Sequence, residues 1–260
     1  MGGRIRTYKE GSIGWIVFDH PERRNAVSAD MWQQLPAASA EMNDDDAVRV
    51  VVLRGEGDVA FIAGADISEF ENRRMGSDAR QYDRENADGF AALARIRKPT
   101  IAMIHGFCVG GGVAISLAAD MRYAADDGVF AIPAARLGLG YGMEGFAALA
   151  NLVGPSRAKE IFFTARRFDA QEALQMGLIN GVFPKAELEA QVRETAARIA
   201  ANAPLTLRSL KLISNELNRD PAERDREAIA ESLRRCFESE DYREGVRAFL
   251  EKRRPEFKGR

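Results

Sequence analysis

An α/β body followed by a helical tail is the architecture this sequence predicts. Three observations carry that expectation. Short segments rich in β-branched and aromatic residues alternate with longer segments of helical period, glycine-rich turns join strands to helices, and the chain beyond about residue 200 is charged and helical throughout, with one apolar stripe. A length of 260 residues fits one large domain, or one domain with a tail, and can bury a sizeable core.

In chain order, residues 13–18 and 48–53 read as strands. Between them Ser28 stands where an N-cap belongs, opening a helix to about Met42 with Met31, Trp32 and Leu35 on one side. Pro36 falls inside that helix and is expected to kink it or displace its start. The run Asn43-Asp44-Asp45-Asp46 is a turn into the second strand. A helix over residues 78–95 ends before Lys98-Pro99, and residues 100–104 form a third strand. After it come Gly106, the triple glycine Gly110 to Gly112, an apolar helix over 113–119, and strands at 121–125 and 129–132. Beyond Glu144 the pattern is almost wholly helical: Pro155, Ala170 and Pro204 stand near helix starts, and Asn180-Gly181 marks a turn. The tail from Pro204 carries Leu207, Leu210, Ile213 and Leu217 on one stripe, and such a face requires a partner surface.

Composition narrows the chemistry. Lys+Arg number 37 against 39 Asp+Glu, a net charge of −2, which argues against a protein that grips nucleic-acid phosphates. Two Cys and two His leave almost no material for a zinc site, a Cys–His pair or a disulfide framework, so carboxylates, a phenol or the backbone must act, in a reducing compartment. The N-terminal residues lack a signal-peptide core and no apolar run is long enough to span a bilayer, so a soluble cytoplasmic protein is expected.

Two glycine-rich turns stand out. In Ile101-Ala-Met-Ile-His-Gly-Phe-Cys-Val-Gly-Gly-Gly-Val, the glycines allow close backbone approach and leave helix N-terminal N–H groups free for an oxyanion or another anion; a plain packing turn is the alternative. The Walker and dinucleotide-binding spacings do not match. In Phe61-Ile-Ala-Gly-Ala-Asp66-Ile-Ser-Glu-Phe, Asp66 can cap a helix, and a backbone N–H from each of the two turns can pinch one oxygen. His105 reads as a structural residue at a strand end, His20 as loop surface and Cys108 as packing.

Taken with Pro21-Glu-Arg-Arg-Asn25-Ala26, Ala170-Gln-Glu-Ala-Leu-Gln-Met-Gly177-Leu178, Ser239-Glu-Asp-Tyr-Arg-Glu-Gly245 and Phe249-Leu-Glu-Lys252-Arg-Arg-Pro-Glu-Phe257, these turns make the chain resemble, nearly end to end, the crotonase superfamily of enoyl-CoA hydratases and isomerases. The resemblance implies a crotonase-like spiral of ββα units over residues 1–200 and a C-terminal helical trimerisation region over 201–260, giving a homotrimer or a dimer of trimers. It implies an acyl-CoA thioester whose carbonyl oxygen lies between the N–H groups of Ala65 and Gly111, an oxyanion hole. It also places Ala63, Asp66 and Ile67 at the CoA adenine site and brings Phe249 and Lys252 to the CoA moiety. No cofactor is implied beyond the coenzyme A of the substrate, and no metal, nucleic acid or membrane.

The pattern breaks at the acid/base positions. Hydratases that this chain resembles use two glutamates, one just after the triple glycine and one in a Pro-Glu segment; those positions are Ala114 and Ala134 here, and alanine transfers no proton. Two polar groups remain nearby. Glu144 is either a helix-start carboxylate or a relocated acid/base, and Tyr141 either a pocket wall or a phenol that donates a proton. The Tyr141 region, residues 159–165 and residues 239–257 are similar to the methylmalonyl-CoA decarboxylase branch, although the histidine that branch carries beside its oxyanion hole is Ala65 here. Isomerisation, decarboxylation, thioester hydrolysis, ordinary hydration and an inactive acyl-CoA-binding protein all stay open on sequence.

Overall fold

The computed structural model describes residues 2–69 and 79–260. The chain enters as a hairpin, β1 (Arg4–Glu10) and β2 (Ile13–Asp19), around Gly11, whose positive φ a non-glycine residue rarely adopts. Helix α1 (Ala29–Asp44) follows, then β3 (Val50–Gly55), β4 (Ala60–Ile62) and α2 (Ala79–Ala94). Next come β5 (Thr100–Ile104), β6 (Phe107–Val109), α3 (Gly111–Ala118), β7 (Met121–Ala125), β8 (Val129–Ala131) and α4 (Met143–Thr164). The remainder is β9 (Phe168–Asp169), α5 (Ala170–Gln175), β10 (Gly181–Phe183), α6 (Leu188–Ala200), α7 (Pro204–Leu217), α8 (Arg226–Glu238) and α9 (Glu240–Leu250).

Two sheets share these strands. Six strands form one, in the order β1-β2-β3-β5-β7-β10, with only the β1/β2 pair antiparallel; β4-β6-β8-β9 form the other. Each successive unit (β3-β4, β5-β6, β7-β8) places its first strand in the large sheet, its second in the small one, and then passes into a helix. That is the ββα spiral. The large sheet is covered on both faces, which explains the unbroken apolar run of β2: Ile16 and Phe18 join the main core while Trp15 and Val17 face Leu188, Val192 and Ala196 of α6.

Local signals translate directly. The Ser28 hydroxyl accepts the Met31 N–H, and Met31, Trp32 and Leu35 are buried. Pro36 does sit inside α1, but the cap holds the helix start at Ala29 instead of displacing it. Pro155 opens the second half of α4 immediately after Gly154 breaks it with φ 79°. The expected helix over 78–95 is seen as Ala79–Ala94, with Asp78 outside the described residues. The strand expected from Val48 begins at Val50, because the Val48 N–H is taken by the Asp45 carbonyl in a turn. His20 is a correction: it is not loop surface but 6% exposed, its Nδ1 2.9 Å from the Ala26 carbonyl oxygen, since the Pro21–Arg23 turn folds back over it.

Three helices, α7 to α9, close the chain. Lys211 pins α7 to the sheet by donating to the Lys98 carbonyl at 2.9 Å and to Asp120 Oδ2 at 2.8 Å. Leu210, Leu217, Phe237, Phe249 and Leu250 remain exposed on these helices. Among the described residues no helix is long and apolar enough to cross a membrane.

Candidate active site

The small sheet carries the site at the carboxyl ends of two of its strands. β4 and β6 pair in parallel, with Ile62 opposite Cys108 and an irregular register, so the loops that follow them emerge side by side. After β4 the chain is fixed from outside: the Ala63 N–H donates to Arg24 O at 3.0 Å, Gly64 O accepts from Val27 N–H at 2.8 Å, and the Asp66 N–H donates to Val27 O at 3.0 Å. These bonds bypass the Ala65 N–H. After β6, Gly110 turns with φ 53° and its N–H donates to Ala131 O at 2.8 Å, leaving Gly111 as the first residue of α3, where no intrahelical partner exists for an N–H. The two backbones nearly touch: a Cβ built on Gly111 would stand 3.5 Å from the Ala65 nitrogen. Gly112 has a separate purpose, since any side chain there would collide with the Ile62 carbonyl.

Ala65 and Gly111 lie on the wall of a cavity of about 800 Å³. Ala63, Ile67, Tyr141 and Glu144 line the same cavity, and so do the two alanines at the expected glutamate positions, Ala114 and Ala134. Residues far apart in sequence therefore converge on one hollow. Asp66 stands beside it, its Oδ1 accepting from the Ser68 N–H at 3.0 Å and the Ser68 hydroxyl at 2.6 Å, a cap for the short turn Ile67–Glu69. Phe249 lines a different hollow, a groove of about 550 Å³ between α7, α8 and α9, and Lys252 follows α9 in a left-handed conformation.

The polar groups differ in setting. Glu144 sits in the first turn of α4, where a carboxylate is favoured by the helix dipole, and its Oε2 lies over Gly142, 3.3 Å from where a Cβ would be. Tyr141 leans on Phe162 edge-on, ring centroids 4.6 Å apart, in space that Gly145 vacates. Although Tyr141 is 37% exposed, the surrounding protein desolvates the phenol and raises its pKa, so it stays protonated and able to donate. Below the site, His105 is buried with no partner for Nε2 among the described residues; burial, helped by Arg54, lowers its pKa to about 4 and keeps it neutral. Burial pushes the Cys108 thiol well above its ordinary value, so it is no nucleophile.

Sequence reasoning missed the far wall. Trp32 and Phe90 line it with centroids 4.9 Å apart, beside Ala87, Ala91 and Ala94 of α2. The alanines at helical spacing were a legible signal, but that face reads equally as ordinary helix packing.

The sequence profile of the enoyl-CoA hydratase/isomerase family matches residues 8–260. A crotonyl-CoA hydratase of Syntrophomonas wolfei is 34% identical over 249 residues, covering 96% of this chain and 95% of its own. A carnitinyl-CoA dehydratase of Proteus mirabilis is 36% identical over the whole of both chains. The crystal structure of an enoyl-CoA hydratase/carnithine racemase from Magnetospirillum magneticum superposes with a TM-score of 0.94 at 34% identity, over 98% of this chain and 96% of that one. The chain belongs to the enoyl-CoA hydratase/isomerase family of the crotonase superfamily.

Proposed function

We propose that the chain binds an acyl-CoA thioester with the carbonyl oxygen between the N–H groups of Ala65 and Gly111, and that it turns over an enolate without the usual glutamate pair. The observation that carries this reading is the 3.5 Å approach of the Gly111 Cβ direction to the Ala65 nitrogen, at a cavity wall. Two fixed backbone dipoles aimed at one point stabilise charge that develops on the oxygen, and one such donor is worth roughly 3 kcal/mol of barrier. CoA arrives as part of the substrate and no separate cofactor is needed. Ala63, Asp66 and Ile67 meet its adenine end, and Phe249 of α9 and Lys252 just beyond it approach the CoA moiety.

Ala114 and Ala134 leave the acyl portion without proton-transferring groups at the two usual places, so Glu144 takes the acid/base role with Tyr141 as donor. Isomerisation and decarboxylation each run through such an enolate, whereas thioester hydrolysis runs through a tetrahedral oxyanion that the same two donors would hold. A mass-spectrometric screen of unsaturated, malonyl-type and β-keto acyl-CoAs identifies the reaction. Glu144→Gln is expected to lower turnover about 100-fold or more; unchanged turnover places the base elsewhere. Ordinary hydration is the second reading, favoured by the names of the relatives, and it requires a 3-hydroxyacyl-CoA product from a 2-enoyl-CoA. Binding of CoA esters with no turnover of any substrate makes the protein a binding module.

The helical region 201–260 serves self-association in the same reading, as a trimer or a dimer of trimers built on the exposed face of α7 to α9; a monomer by light scattering at micromolar concentration would contradict it. The chain's two free cysteines, Cys108 and Cys236, suit a cytoplasmic setting.

A further inference from the structure

The cavity continues well beyond the two amides. Helix α3 starts at Gly111 and lines the hollow again at Ala114, Leu117 and Ala118. At a rise of ~1.5 Å per residue, Ala118 stands roughly 10 Å along the axis from Gly111. The facing wall is the alanine face of α2, at Ala87, Ala91 and Ala94. Larger aliphatic side chains at Ala91 and Ala118 would close this end, as protein interiors otherwise do; methyl groups leave it open. An apolar hollow of about 800 Å³ has the size of a small-molecule site.

We propose, resting on the acyl-CoA reading above, that the acyl group is an uncharged aliphatic chain of about eight carbons or more, extended between α2 and α3. An extended chain advances ~1.2 Å per bond, so the span from Gly111 to Ala118 takes about eight bonds. Counting each carbon as about the ~30 Å³ of one water, a ten-carbon chain fills roughly 300 Å³ and leaves room for the thioester end. The tail is uncharged because, among the described residues, the stretch between α2 and α3 is walled by Ala87, Phe90, Ala91, Ala114, Leu117 and Ala118, which would desolvate a charge without pairing it.

Titration calorimetry of the full chain with saturated butyryl-, octanoyl- and decanoyl-CoA tests this, with free CoA, succinyl-CoA and a butyryl-CoA bearing a terminal trimethylammonium group as controls. Each buried methylene strengthens binding about fourfold, so decanoyl-CoA is expected to bind at least ~100-fold tighter than butyryl-CoA. Ala118→Phe, and independently Ala91→Phe should the first variant fail to fold, lower that ratio at least tenfold. Equal affinities for butyryl- and decanoyl-CoA, or tighter binding of either charged control, overturn the chain-length inference and leave the acyl-CoA reading standing. Failure of every CoA thioester to bind overturns both.

Discussion

Two hollows of this molecule are built on opposite principles. The larger, about 800 Å³, is lined by glycine, alanine and main chain held on strand ends and on α2 and α3, over a core in which Ile62, Cys108 and Phe61 are fully buried. The smaller, about 550 Å³, is lined by Leu210, Leu233, Phe237, Phe249 and Leu250, large side chains of three helices that find no cover among the described residues. The first is empty because its side chains stop short; the second is open because its side chains have nowhere to pack. A site for a small molecule needs the first kind of hollow, since only a rigid frame keeps amides aimed without a ligand. A surface awaiting another protein looks like the second.

The contrast can be broken at the frame. Trp32 is buried and forms part of the first wall against Phe90, so Trp32→Ala should cost about 3–5 kcal/mol of folding stability in denaturant titrations. A cost below about 1 kcal/mol would mean that the wall is not rigid core. Gly111→Ala sharpens it. The new methyl makes only ordinary contact, 3.5 Å from the Ala65 nitrogen, so the fold should keep its stability. If the Ala65 and Gly111 amides hold the thioester oxygen as proposed, a methyl this close to them crowds that oxygen, so turnover should fall about 100-fold or more. A variant of normal activity would remove the oxyanion role from this pair.

His105 gives the frame a pH signature. Its folded pKa, about 4, lies below the ordinary 6.5, so the unfolded chain takes up a proton that the folded chain refuses. Stability should therefore fall as pH drops from about 6.5 towards 4, by up to ~3 kcal/mol in all, and level off below. His105→Gln should flatten that slope in urea titrations across this range; an unaltered slope assigns it to other groups. The smallest effect belongs to the second hollow. Phe249→Ser should change the stability of the isolated protomer by no more than about 0.5 kcal/mol, because the side chain is 84% exposed. It should still reduce the assembled mass in light scattering if α7 to α9 form the contact between copies.

Much was legible in the residues. The Ser28 cap, the strands at 100–104 and 121–125, and the Pro155 and Pro204 helix starts followed from turn chemistry and period, because those signals are local. The short strands β4, β6, β9 and β10 escaped, since two or three residues define no period. The β1/β2 hairpin escaped for another reason: β1, with Arg4, Arg6, Lys9 and Glu10, is too polar to read as a buried strand. His20 was misplaced because a histidine beside a proline looks like a loop until the turn closes over it.

The sequence by itself bounded the material for chemistry: two His and two Cys, two glycine-rich turns, and alanine at 114 and 134. Only the tertiary structure decided that the two turns meet. Their approach depends on the parallel register of β4 with β6, Ile62 beside Cys108, and that register is set by the packing of the whole spiral and not by any residue in either loop. The length of the hollow was likewise undecided until α2 and α3 were laid face to face, because a methyl side chain announces empty space only when its neighbour across the gap is known.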